Sequence, residues 1–255
     1  MDPRKVFRMK IIQLNIWQGK IGRPIADFLK AQTPDIVCMQ EVNDLKGGEA
    51  GGPFATLDEI KEWAGFTHVV MAPTYGYRYM RRTSNMGNAI LSRSPAADHE
   101  VVFINDAYHD DFDFAEDDYN IRNMQICRFD LDEGKHLTVV NHHSFHIIDP
   151  KGNQQSVKAM QKVVDQLSRL DGPLLLCGDF NVNPESAALQ VLSQTRLRNL
   201  TLEYDVDSTL SRLHKVNHPV VCDYIFASPE IKVKKFEAVD PLISDHKALI
   251  LEFEV

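Results

Sequence analysis

The chain has 255 residues, 44% hydrophobic and 25% charged, with 28 basic against 36 acidic side chains and a formal net charge of −8. This composition excludes a disordered, collagen-like or coiled-coil chain. The acidity excludes a surface that is basic all over, so any grip on a polyanion must be local.

The N-terminal MDPRKVFRMK carries charge but no apolar stretch and no small-residue cleavage site. It reads as a short extension, residues 1–8, and not as a signal peptide. Lys10–Leu14 is the first expected strand and runs into Asn15. Pro24 opens a helix, where its missing N–H costs nothing, with Ile25, Phe28 and Leu29 on one face. Ile36–Gln40 is the second strand and runs into Glu41. The glycine-rich 47–52 stretch reads as a loop bordering a pocket. Thr56 and Glu59 form a capping box ahead of a helical stripe of Leu57, Ile60 and Ala64. Strands are expected at His68–Met71 and Ala89–Ser92. Between them Tyr75, Tyr77 and Tyr79 mix with a basic run from Arg78 to Arg82, a combination suited to stacking on a ring.

Further strands are expected at Glu100–Ile104, Ile121–Asp130 and His136–Asn141. Residues 106–118 hold seven carboxylates, at a spacing that fits no EF-hand, and read as a solvated acidic loop that repels a long polyanion. Asn153–Leu170 is an amphipathic helix, with Val157, Met160, Val164, Leu167 and Leu170 along one stripe. A short helix is expected near Glu185–Leu192. Strands follow at Leu174–Cys177, Cys222–Ala227, Lys232–Ala238 and Ala248–Glu254, and Lys232, Lys234 and Lys235 mark an edge. Many short strands with few helices read as a layered α/β or α+β sandwich. With no linker visible, residues 9–255 are expected to form one domain. The longest apolar runs, about six residues, fall far short of the roughly 20 needed to span a bilayer. Cys38, Cys127, Cys177 and Cys222 each lie alone in an apolar run, as buried free thiols of a cytoplasmic protein do.

Polar residues close several of these strands: Asn15, Glu41, His142 and His143, then Asp179 and Asn181, Asp223, and the Ser244-Asp245-His246 run. One such ending means only that a strand has reached solvent. A series of them at ends that share one edge of a layered fold points to a common pocket. Glu41, Asp179 and Asp245 are hard oxygen donors and Asn15 adds a carbonyl, a set suited to Mg²⁺ or Mn²⁺. His146 reads as a loop residue, and His214 and His218 as solvent-exposed.

The ordered set Asn15, Gln40-Glu41, Gly87-Asn88, His143, Gly178-Asp179-Phe180-Asn181, Asp223-Tyr224 and Ser244-Asp245-His246 resembles the endonuclease/exonuclease/phosphatase superfamily over essentially the whole chain. The resemblance implies a deoxyribonuclease I-like, four-layered α/β sandwich: two packed mixed sheets flanked by helices, with one metal-dependent site. It implies Glu41 as the principal Mg²⁺ ligand, with Asn15 and Asp245 beside it. Asp179 would activate water and Asn181 hold that water or a phosphate oxygen. His246, fixed by Asp223, would sit on the phosphate. His143 would bond a phosphoryl oxygen or the leaving group. Arg122 would face phosphate, with Asn88, Tyr79 and Arg81 as further substrate contacts.

The expected function is Mg²⁺-dependent phosphoester hydrolysis by in-line water attack, in a monomer with no protein partner. A nuclease or a DNA-end phosphodiesterase leads, with DNA or RNA ends among the substrates. A small-molecule or lipid-headgroup phosphodiesterase is the alternative, and an inactive binding module the remote one.

Overall fold

Side chains on a strand alternate between its two faces, and in this chain the alternation sorts residues by chemistry as well as by hydrophobicity. The computed structural model describes residues 7–45, 54–79, 81–131, 134–216 and 218–255. The 47–52 loop, most of the N-terminal extension and Met80 of the basic run lie outside the described residues.

Two six-stranded sheets are present among the described residues. The first contains β1 (Arg8–Asn15), β2 (Ile36–Asn43), β3 (His68–Tyr79), β4 (Arg82–Ser92), β11 (Lys232–Val239) and β12 (Ala248–Glu254), ordered β11-β12-β1-β2-β4-β3. The second contains β5 (Asp98–Asn105), β6 (Arg122–Asp130), β7 (His136–His143), β8 (Leu174–Asp179), β9 (Arg198–Asn199) and β10 (Asp223–Ala227), ordered β5-β6-β7-β8-β10-β9. Each sheet has a parallel pair at its centre, β1 with β2 and β7 with β8, flanked by antiparallel neighbours.

Three apolar clusters define four layers. α1 (Arg23–Gln32) and α2 (Leu57–Ala64) bury Ile25, Leu29 and Ile60 against Ile12, Leu14, Val37 and Met39 of the first sheet. α3 (Gln154–Leu167) and α4 (Ala187–Gln190) bury Met160, Val163 and Leu189 against Val140, Leu176 and Tyr224 of the second. Between the sheets pack Ile11, Ile36, Cys38 and Ile90 from one side and Val139, Leu175, Cys177 and Ile225 from the other. The capping box at Thr56 is formed, and Asn153 caps α3 by accepting from Gln155 N–H and Ser156 N–H.

Along the inter-sheet face the residue type changes in steps. β1 presents Ile11, then Gln13, then Asn15; β7 presents Val139, Asn141 and His143; β8 presents Leu175, Cys177 and Asp179. Apolar packing therefore gives way to buried amides, and the amides to the titratable groups of one edge. The amide level is paired both within the first sheet and across the gap. Gln13 and Gln40 exchange hydrogen bonds at 2.6 and 2.9 Å, and Gln40 donates to Asn141 Oδ1 at 2.6 Å. Asn141 donates to the carbonyls of Met39 and Ala89, both at 3.0 Å. Gln125 donates to Val70 O at 2.7 Å, and Asn123 to Ala72 O at 3.1 Å.

The β3–β4 hairpin is much longer than the sequence predicts. Pairing continues past an irregularity at Pro73/Tyr75 to Tyr79 opposite Arg82. Pro73, Gly76 and the basic residues break the apolar pattern, while the backbone ladder, which that pattern does not report, continues. The basic run is thus a hairpin tip.

Candidate active site

Each group reaches the site by a local device. On β2 the alternation that sends Val37 and Met39 to the helix side would send Glu41 with them. A bulge between Met39 and Val42 breaks the register, and Glu41 adopts φ 55°. Val42 then takes the helix side, and Glu41 turns toward Asn15. Trp17 (φ 50°), Gln18 (φ 58°) and Asn181 (φ 54°) also hold left-handed conformations. Such strain costs on the order of 1–3 kcal/mol per residue and collects where function requires it.

Asn15, expected beside the metal, stands between two carboxylates. Its side-chain oxygen accepts from Trp17 N–H at 2.9 Å, which turns the amide nitrogen inward. That nitrogen donates to Glu41 Oε1 and to Asp179 Oδ2, each at 3.0 Å. Asn15 therefore ties two carboxylates together.

Asp179, buried at the end of β8, also accepts from Asn181 N–H at 3.0 Å. His143 Nε2 lies 3.6 Å and His246 Nε2 3.9 Å from Asp179 Oδ2. Burial pushes the Asp179 carboxyl up to about 7, against the opposing pull of His246. His246 Nδ1 lies 2.8 Å from Asp223 Oδ2. Burial alone would lower His246, but Asp223 and Asp179 together raise it well above the usual imidazole range. His143 is lowered well below that range by burial, with Arg122 adding to the effect. The site thus holds one charged and one neutral imidazole. Ser244 donates to the Asn15 backbone carbonyl at 2.6 Å, fixing the SDH loop to β1, and its hydroxyl lies 3.3 Å from Asp245 Oδ1. Burial raises Asp245, and Glu41 adds to it.

A cleft of about 330 Å³ opens beside this cluster, and Glu41, Asn88, Arg122, His143 and Asn181 line it. Arg122 is buried, and its Nε has no hydrogen-bond partner. Burial lowers its pKa while Glu41 and Asp179 hold it up. A buried guanidinium nitrogen left without an acceptor is costly, and an anion in the cleft would relieve it.

Tyr79 and Arg81 do not line the cleft. They sit at the β3–β4 tip, about 13 Å along the strand from Tyr75, which does. The residues 106–118 also differ from expectation. Most of their carboxylates are exposed, but the segment docks on β3. Gly76 N–H donates to His109 O at 2.8 Å, Phe112 N–H to Gly76 O at 2.7 Å, and Phe112 stacks on Tyr75 at 4.2 Å. Phe112, Phe114, Asp117 and Tyr119 become cleft wall. His146, read as a loop residue, lines the cleft too; its three-residue spacing from His143 was the available signal. His214 stands 6.5 Å from the His246 ring, His218 is exposed, and His142 packs on Phe180 with its pKa pulled down to about 4 by burial.

The donor set suits a hard divalent ion. Glu41 and Asp245 offer carboxylate oxygens at the same edge, and Glu41 adds to the upward push on Asp245. Asp179, Cys222 and His246 also present ligand atoms within 4.8 Å of one another. That set includes a thiol, a poor partner for Mg²⁺, and its members are already bonded to each other and to Asp223.

The chain matches the Endonuclease/Exonuclease/phosphatase family over residues 12–246. It is 29% identical over 129 residues to a UPF0294 protein of Vibrio cholerae, a match covering 51% of this chain and 44% of that protein, so it spans under half the length of the curated relative. An endonuclease/exonuclease/phosphatase from Beutenbergia cavernae superposes with a TM-score of 0.75 at 18% identity, covering 97% of this chain and 72% of the other. A mannosyl-6-phosphatase of Bacteroides thetaiotaomicron superposes with a TM-score of 0.70 at 18% identity, covering 96% and 99%. At these identities the likeness is one of fold. No helix among the described residues is long and apolar enough to cross a membrane.

Proposed function

The chain belongs to the endonuclease/exonuclease/phosphatase family, and from that premise we propose that it is a divalent-metal-dependent hydrolase of small phosphoesters. The observation that carries the reading is Arg122, a buried guanidinium with an unpaired Nε, in a cleft it shares with Glu41, His143 and Asn181. Because both sheets supply residues to this one site, residues 9–255 work as a single domain.

Glu41 and Asp245 would hold Mg²⁺ or Mn²⁺, which would supply Lewis-acid polarisation of a phosphoryl oxygen. Arg122 binds a non-bridging oxygen. Asp179 takes the proton of the attacking water, and Asn15 and Asn181 hold that carboxylate in place. His246, kept as imidazolium by Asp223, meets the negative charge that grows on the phosphoryl group. His143, neutral and 3.6 Å from Asp179, donates to a phosphoryl oxygen or the leaving group.

We prefer small esters to the nucleic acid expected from the sequence. This preference is supported by Tyr79 and Arg81, which favoured a polynucleotide and stand at the hairpin tip outside the cleft, and by Phe112, Phe114 and Asp117 of the acidic segment, which line it. The test is a panel of phosphomonoesters, phosphodiesters and single- and double-stranded DNA, with Mg²⁺, Mn²⁺ or a chelator. Metal-dependent turnover with preference for small esters is expected. Preference for DNA with steep salt dependence would overturn the size assignment, and no turnover of any phosphoester would overturn the whole reading.

A further inference from the structure

Two loops that contribute Tyr119 and His146 to the cleft are locked to each other. The Asn120 side chain brackets the backbone of His146, accepting from its N–H at 2.8 Å and donating to its carbonyl at 3.0 Å. The Asn120 carbonyl in turn accepts from Asn105 Nδ2 at 2.7 Å. One residue earlier, Tyr119 Oη lies 2.8 Å from His146 Nδ1. The phenol Oη–H can donate to Nδ1, and with the bond in that direction the neutral ring carries its own proton on Nε2. His146 is half-buried and lines the cleft with Arg122, His143 and Asn181.

We infer that His146 contacts the substrate, its Nε2–H donating to an oxygen on the group that bears the scissile phosphate, and that Tyr119 is a positioning residue holding the ring in that tautomer. This rests on the phosphoester reading above and names the class of ester. The same cleft is lined by Tyr75, Phe112, Phe114 and Tyr119, and Phe114 and Tyr119 are 63% and 47% exposed. A donor in an aromatic-lined space of about 330 Å³ suits a compact ring that carries oxygens. A phosphorylated sugar ring, free or as part of a mononucleotide, has that chemistry. Nothing in this arrangement needs a chain of nucleotides.

The test compares the parent with His146→Ala, His146→Gln and Tyr119→Phe, all with Mg²⁺, on a hexose phosphate, a mononucleotide and p-nitrophenyl phosphate. The hexose phosphate and mononucleotide arms distinguish the two sources of the sugar ring. For His146→Ala the ratio of kcat/KM on the sugar-bearing esters to that on p-nitrophenyl phosphate should fall about tenfold or more, mainly through KM, because a donor built to meet a substrate oxygen is lost. His146→Gln, whose amide can supply a donor near Nε2, should recover part of the ratio. Nitrogen-15 NMR should show the Nε2–H tautomer of His146 in the parent and a mixture in Tyr119→Phe. An unchanged ratio in both His146 variants, or an Nδ1–H tautomer in the parent, overturns the inference while leaving the phosphoesterase reading standing. Absence of turnover on every ester by the parent overturns both.

Discussion

His246 and Asp223 form a buried ion pair, Nδ1 to Oδ2 at 2.8 Å, in which Asp223 is itself held by the Thr209 hydroxyl accepting from its backbone N–H at 3.1 Å. The carboxylate fixes the ring's orientation and keeps it charged. Asp223→Asn retains the shape and removes the charge, so the His246 pKa should fall. Turnover should drop on the order of 10²–10⁴-fold. Because the imidazolium is then lost at lower pH, the alkaline limb of the pH–rate profile should move toward acid. A profile that keeps its alkaline limb in place would remove His246 from the charged role.

Asp179 pairs function against stability. Its carboxyl is raised by burial, so the folded state binds a proton that the unfolded state has released between its ordinary pKa and about 7. The stability this group contributes is therefore present at low pH and lost as pH rises through that window. Asp179→Asn should abolish most turnover. In chelator, the melting temperature of the variant minus that of the parent should increase from pH 5 to pH 8, at about 2–4 °C per kcal/mol. A difference that shrinks over that range would contradict the assigned shift.

The bulge on β2 exists to aim Glu41, and Asn15 fastens it. Glu41→Ala should raise the Mg²⁺ concentration for half-activation strongly. Asn15→Ala, which leaves both carboxylates in place but unfastened, should cost about 10–100-fold in activity or metal affinity, as loss of a ligand's hydrogen-bond partner does. Titration of activity with Mg²⁺ checks both. Ordinary half-activation in Glu41→Ala would exclude it as a ligand.

Gly178 permits the parallel pair that delivers Asp179. A Cβ there would stand 2.1 Å from the His142 carbonyl oxygen, a backbone atom with nowhere to go. Gly178→Ala should push β8 from β7 and destabilise the chain by about 1–3 kcal/mol or more. Denaturant unfolding measures this, and a neutral result would mean that the two strands separate more easily than their packing implies.

Strand ends were the legible part of this protein. Asn15, His143, Asp179 and Asp223 share the inter-sheet face because strand alternation is written in the sequence, and His142 falls on the opposite face for the same reason. Glu41 was recognisable only as a motif residue, since the bulge that presents it breaks the alternation. The amide flip of Asn15 depends on Trp17 N–H, a contact between a side chain and a strained turn that no periodicity encodes. The cleft wall was missed because residues 106–119 are acidic and read as solvated. Their docking on Thr74–Gly76 rests on backbone hydrogen bonds, to which composition is blind, and on Phe112 stacked against Tyr75. His146 was missed with it, its partners Tyr119 and Asn120 lying on that same segment.

The buried amides between the sheets have a mechanical meaning. Apolar contact is non-directional and lets two surfaces slide at little cost. Hydrogen bonds from Asn141 to Met39 and Ala89, or from Gln125 to Val70, exist at a single alignment. Slippage by one residue, about 3.3 Å, would orphan them together at about 1–3 kcal/mol each. Asn15 and Glu41 ride on one sheet, and His143, Asp179 and Asp223 on the other. The tolerance to which a water, a base and an imidazole meet is therefore set one level below, by side chains that no substrate touches.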